Sequence, residues 1–308
     1  MLERIERDGI VTADDVAALR RTVFADGHVS DAELEEVCRV LDAAPEGPRD
    51  WRFFLDDVFG DYFLNQVRPQ GYVTPEGAER LVRIGRMANR PNRLKTEVIV
   101  HLLSRCIHAP SILAECAYER VEADVLSDGR VTPEDVELLR KLVYSPGSDG
   151  GIRVARREAE LLFTINEYSR EDENCAAWLE LFAKAVTCHV MVRHGYVPPS
   201  REEALRREDW LEDAHVNVGG FLSRMVPGLL TGAGRRDRGS IWTGHNRDFA
   251  TGTRAVEEIS HGEAAWLAGR IGKDGRFCNA ERALIAYLDG LCEFDLPQVL
   301  APFRAKAA

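Results

Sequence analysis

Gly9-Ile10-Val11-Thr12, Gly71-Tyr72-Val73-Thr74, Gly129-Arg130-Val131-Thr132, Gly195-Tyr196-Val197-Pro198 and Glu257-Glu258-Ile259-Ser260 are five statements of one phrase. Measured at Val11, Val73, Val131, Val197 and Ile259, they stand 62, 58, 66 and 62 residues apart. So regular an interval along a 308-residue chain means that one supersecondary unit is used repeatedly.

The first copy shows what the unit is. After Thr12, the apolar residues Val16, Leu19 and Val23 recur at helical spacing and define helix A. Asp26-Gly27-His28-Val29 stops it, and Ser30-Asp31-Ala32-Glu33 opens helix B with the stripe Leu34, Val37, Leu41. Trp51 to Val67 supplies an aromatic-rich helix C that delivers the chain into the next turn. The last copy aligns with the first without a gap: Ile259 with Val11, Leu267 with Leu19, Ile271 with Val23, Asp274-Gly275 with Asp26-Gly27, Phe277 with Val29 and Glu281 with Glu33. The third copy carries a three-residue insertion before Asp149-Gly150, the second has lost the acidic turn, and the fourth is the most divergent.

Period-two alternation over a strand length is nowhere seen, so extended structure is expected only as short bridges at the Val positions. The expected fold is all-α: a helical repeat array or two-lobed bundle of about 14 to 16 helices with EF-hand-like turns. Repeats 1 and 2 fill 1–128, repeat 3 fills 129–194, repeat 4 fills 195–258 and repeat 5 fills 259–308. Repeat 4 contains a Gly-rich loop, 227–253, that has no Gly-Lys-Ser/Thr of a phosphate loop.

Composition narrows the function classes. A net charge of −11 argues against nucleic acid and anionic bilayers, which reward clustered Lys and Arg, and leaves room for cations and basic partners. No apolar run approaches the eighteen residues of a membrane span, and no secretory leader is read at the start, so a cytoplasmic protein without membrane insertion is expected. Seven cysteines without a Cys-x-x-Cys pair suggest neither a disulfide framework nor a thiolate zinc site.

The turns carry two readings. Asp-Gly-x-(Val/Ile)-(Thr/Ser)-x-x-(Asp/Glu) matches the second half of a calcium loop, and its fullest version offers side-chain oxygens from Asp124, Asp128, Thr132 and Asp135. The loop ending at Glu33 offers Asp26, Ser30 and Glu33; that ending at Asp15 offers Glu6, Asp8, Thr12 and Asp15; the last offers Asp274 and Glu281. The same residues also suit helix capping, with a hydroxyl accepting from a free amide and an acid three residues on. Pro75, Pro133 and Pro199 then fall at the first helical position.

Ala25-Asp26-Gly27-His28-Val29-Ser30-Asp31-Ala32-Glu33-Leu34, and less closely Lys273 to Glu281, resemble the turn and helix start of TerB-like domains of tellurite-resistance proteins. The resemblance implies an all-helical bundle, divalent-metal binding through Asp26 and Glu33 or Asp274 and Glu281, and a stress or scaffolding role without catalysis.

Other residues weigh less. His101 and His108 share a face of helix B in the second copy, and His189 and His194 are five apart, off the four-residue zincin spacing. Trp51 and Trp178 hold matching places in helix C as core anchors. The leading expectation is a non-catalytic interaction scaffold whose grooves between repeats hold a protein partner. The alternatives are a cation sensor, Ca²⁺ above all, acting through the acidic turns, and an enzyme gathering His215, His245, Asp248 and His261 beside the Gly-rich loop.

Overall fold

The computed structural model describes residues 2–86, 92–148, 153–191, 199–212, 259–291 and 297–307. Among them lie fourteen α-helices and no strand: α1 Leu2–Asp8, α2 Ala13–Val23, α3 Asp31–Ala43, α4 Arg49–Gly60, α5 Pro75–Arg86, α6 Arg93–Arg105, α7 Ser111–Val125, α8 Pro133–Val143, α9 Arg156–Tyr168, α10 Ala176–Met191, α11 Arg201–Glu212, α12 His261–Arg270, α13 Asn279–Leu291 and α14 Ala301–Ala307. The all-α expectation holds. No described helix is long and apolar enough to cross a membrane.

Repeats 1, 2 and 3 start as their phrases dictate. Gly71 and Gly129 take φ values of 81° and 73°, a left-handed turn that costs glycine no Cβ clash and frees the chain from the preceding helix. The anchors Val11, Val73 and Val131 are then buried, and the hydroxyl after each enters a cap. Thr12 accepts from the Asp15 amide at 3.3 Å while Asp15 accepts from the Thr12 amide at 2.9 Å, and Ser30/Glu33 and Thr132/Asp135 repeat the arrangement. The turn of one repeat is also tied to that repeat's loop between helices B and C. Val73 donates to the carbonyl of His108 at 3.0 Å beside an isolated parallel bridge between Tyr72 and His108, and the Cys175 amide donates to the carbonyl of Val131 at 2.9 Å. The Tyr72–His108 pair is the short extended bridge expected beside a Val position; at Val131 the tie is a hydrogen bond alone. Helix C of the first copy runs on past α4 as a π-helical turn, Asp61–Asn65, whose Asp61 carboxylate accepts from the Val29 amide at 3.1 Å.

The chain divides into two compact units, Met1–Pro198 with Ile259–Ala308, and Pro199–Glu258. The described part of the second unit is α11, whose first turn is capped by Ser200, accepting from the Glu203 amide at 3.2 Å. The anchor at Val197, the Gly-rich loop 227–253, and His215, His245 and Asp248 lie outside the described residues.

Within the first unit the helices form two layers. One strings together α2, α4, α6, α8, α10 and α13; the other strings together α1, α3, α5, α7, α9 and α12. Because a repeat holds three helices and successive helices alternate between layers, repeats 2 and 3 are each turned over relative to the one before. Helix A of repeat 1 and of repeat 3 (α2 and α8) lie in the first layer, while helix A of repeat 2 (α5) lies in the second. Large apolar side chains fill the space between layers; Trp51, Phe54, Tyr118, Phe163, Trp178 and Phe182 are all fully buried.

Repeat 5 packs directly on repeat 3, and does so as repeat 2 packs on repeat 1. Arg80, seven residues past the anchor Val73, reaches the first and fifth residues of α3, pairing with Asp31 at 2.5 Å and Glu35 at 3.8 Å. Trp266, seven residues past the anchor Ile259, reaches the first and fifth residues of α9: its indole donates to Glu160 at 2.6 Å and the Arg156 guanidinium lies 4.6 Å over its ring. With residues 199–258 assigned to the other unit, repeat 5 takes the position that a fourth member of this stack would take.

Candidate functional site

Three neighbouring helices of the first layer, one from each of repeats 1, 2 and 3, line an open-sided cavity of about 480 Å³. They present Arg52 and Asp56 from α4, Arg93, Glu97 and His101 from α6, and Glu134, Glu137 and Lys141 from α8. Spacings of three and four residues place each set on one helix face, and the repeat architecture puts those faces together.

The charges are linked across the helices. Arg52 meets Glu97 at 2.5 Å, Arg93 meets the same carboxylate at 3.3 Å, and Arg93 also reaches Asp135 at 2.5 Å. One turn further along, His101 Nδ1 lies 3.6 Å from Asp56 Oδ2, too long for a hydrogen bond. Burial pushes the Asp56 carboxyl up to about 6, against the pull of Lys141 and Arg52. Burial likewise pushes His101 below the usual imidazole value, with Arg105 and Lys141 adding to it. Arg93 Nη2 and His101 Nε2 are buried without hydrogen-bond partners. Lys141 is the lining cation that forms no ion pair among the described residues.

Such an array can hold a polar ligand of mixed charge. Its lining includes no serine, threonine or cysteine for nucleophilic attack among the described residues.

The acidic turns present a different picture. Asp15, Glu33 and Asp135 each use an oxygen on their own capping box. Asp15 is further paired with Arg4, and although burial works against it, Arg4 and Thr12 hold its carboxyl down at about 2. Asp26, Asp128 and Asp274 each accept from the amide two residues on, His28, Arg130 and Arg276, at 3.1, 3.1 and 2.9 Å, closing the turn before the anchor. Glu281 accepts from the amides of Gly272 at 2.8 Å and Cys278 at 3.1 Å. Asp8 pairs with Arg7, and Asp124 lies in the last turn of α7 with Oδ2 buried and lacking a hydrogen-bond partner. Among the described residues, no three His, Cys, Asp or Glu side chains gather as a metal ion would require.

Helix α6 ends at Arg105, so His108 does not share its face with His101; it lies in the following turn, its carbonyl accepting from Val73. Both tryptophans of helix C are fully buried, as their matching places suggest. His261 opens α12 at the surface. The six described cysteines are free thiols.

The pocket itself escapes a reading of the sequence alone. Its signal is the four-residue ladder Arg93, Glu97, His101 on a helix that otherwise needs only one apolar face, matched by Arg52/Asp56 and Glu137/Lys141. A scan of protein-family models, a search of curated proteins and a search of solved structures each return no match for this chain.

Proposed function

We propose that this chain is a non-catalytic, intracellular helical-repeat scaffold that binds a protein partner through the groove between repeats 1, 2 and 3, with the pocket of α4, α6 and α8 as its recognition point. The observation that carries this reading is a mixed-charge recess that stacking does not require. The equivalent helix pair α10 and α13 packs without those charges, carrying Leu179 and Ala183 on one helix and Asn279, Ala283 and Tyr287 on the other at the positions where α4 and α6 have Arg52, Asp56, Arg93, Glu97 and His101. Charged groups kept half-buried at a cost to the fold mark a site that does something else.

The intracellular part of the reading draws on the six described cysteines being free thiols. The resemblance of the turns to TerB-like domains agrees with a scaffolding role. The test is affinity capture with the full chain beside the double variant Arg52→Ala/Lys141→Ala, both changes lying at the exposed rim. A partner held by the parent and released by the variant supports the proposal; identical capture by both removes it.

A further inference from the structure

The charges of the pocket are sorted by depth. Asp56 and Glu97 lie on the floor, with side chains each 14% exposed, while Arg52, Glu134, Glu137 and Lys141 stand exposed around the rim. A purely anionic ligand would meet four carboxylates, and a purely cationic one would meet Arg52, Arg93 and Lys141. Two of those cations are already engaged: Arg52 by Glu97, and Arg93 by Glu97 and Asp135. What is left is an acid below and a cation above. Among the described residues, the imidazole of His101 is the basic group that comes within 4.0 Å of Asp56, and Lys141 forms no ion pair.

We propose that the pocket receives the C-terminal Lys or Arg residue of a polypeptide partner. The long cationic side chain reaches the floor at Asp56, the terminal carboxylate stays at the rim on Lys141, and the rest of the partner leaves through the open side. This rests on the reading of the pocket as the recognition point, and it adds which group is recognised.

Four features fit that occupant. A cavity of about 480 Å³ is ample for one long residue and within the range of small-ligand sites. A cation on the floor would neutralise the carboxylate that burial now disfavours, so desolvation already suffered by the scaffold is recovered on binding. Burial and the neighbouring Arg105 and Lys141 disfavour the charged form of His101, which weakens it as a competing cation at Asp56. Glu134 and Glu137, nearer the start of α8, repel a carboxylate from that end and leave Lys141 as its seat. An internal lysine would leave Lys141 unfilled.

The test is fluorescence anisotropy with the full chain and labelled Gly/Ser hexapeptides at low salt. One ends in Lys with a free carboxylate, one in Lys amide and one in Glu; free L-lysine serves as a competitor. The free-acid Lys peptide should bind at least about tenfold more tightly than the amide or the Glu peptide. Lys141→Ala should erase the acid-over-amide difference, and Asp56→Asn should weaken both Lys peptides by about tenfold, with an unchanged far-ultraviolet spectrum certifying the fold of each variant. Equal binding of acid and amide, or preference for the Glu peptide, overturns the proposal. So does L-lysine competing as well as the peptide, since the pocket would then be built for a free amino acid. If no peptide binds but a captured partner is still lost in the Arg52→Ala/Lys141→Ala variant, this inference fails and the scaffold reading stands. If neither peptide nor partner is bound, both fail.

Discussion

The helix pairs α4/α6 and α10/α13 occupy equivalent positions in the stack and are built from opposite materials. In each, helix C of one repeat lies beside helix B of the next unit in the stack, and in each a fully buried tryptophan, Trp51 or Trp178, anchors helix C from beneath. At matching positions on the flank, however, α4/α6 has Arg52, Asp56, Glu97 and His101, whereas α10/α13 has Leu179, two alanines and Tyr287. The small side chains let α10 and α13 make the most extensive helix–helix contact among the described residues, while the charged ones hold open a recess. The architecture thus needs only the stripe that faces the other layer. The outer flank of each pair is free to vary, and in one place it holds open a charged recess.

The sharpest way to break this comparison is to move a charge from one seam to the other. Ala183, 4% exposed, stands where α4 has Asp56, and Ala183→Asp should cost roughly 2–4 kcal/mol, since the closed seam has no room for a solvated carboxylate. Chemical denaturation would measure the loss; a cost below about 0.5 kcal/mol would mean that the two seams are not distinct.

The reverse change has the opposite sign. Asp56 has a folded-state value of about 6, above that of an ordinary Asp, so the fold holds its proton more tightly than the unfolded chain does. Stability from this group is fully present below about pH 4 and is lost as pH rises through about 6. Asp56→Asn should accordingly raise stability at about pH 7.5 by about 1 kcal/mol, reduced from the full linkage value by solvent screening, with the gain fading below about pH 4. Melting curves across that range would reveal it, and a loss of stability at the alkaline end would contradict the assignment.

A smaller effect is expected at a repeat start. Thr132→Ala removes the hydroxyl of a capping box and should cost about 1 kcal/mol, the same with or without millimolar Ca²⁺. A cost that appears only with Ca²⁺ present would favour the cation reading of the turns. The smallest effect belongs to the comparison of repeat 5 on repeat 3 with repeat 2 on repeat 1. Replacing residues 199–258 by a flexible Gly/Ser linker should leave the melting temperature of the first unit within a few degrees, because the contacts of α12 and α13 with α9 and α10 survive. Loss of cooperative melting would show that the stack depends on the second unit.

Much of this fold can be read from residues alone because glycine, valine, threonine and acid act locally. A left-handed turn, a buried anchor and a cap are each settled within about six residues, so the starts of α2, α3, α8 and α12 are visible in the sequence. Two things are not legible there. The alternation between layers depends on how successive helices fold back, which no single repeat states. The pocket depends on distant meetings, Arg52 with Glu97 and, across 42 residues, Arg93 with Asp135. Nothing in the spacing of either helix says which face of α6 will turn toward α4. His108 shows the same limit on a small scale. Its periodicity continues that of His101, but the helix stops at Arg105 and the turn claims it.

Three helices per module in a two-layer stack has a consequence for how such a protein can grow. A lone added module would invert every later one, exchanging its inward and outward sides, whereas modules gained or lost in pairs would restore the original handedness of presentation. Because residues 199–258 form a unit of their own, the final module has the parity of an even-numbered member, and with it the side on which Trp266 finds Glu160.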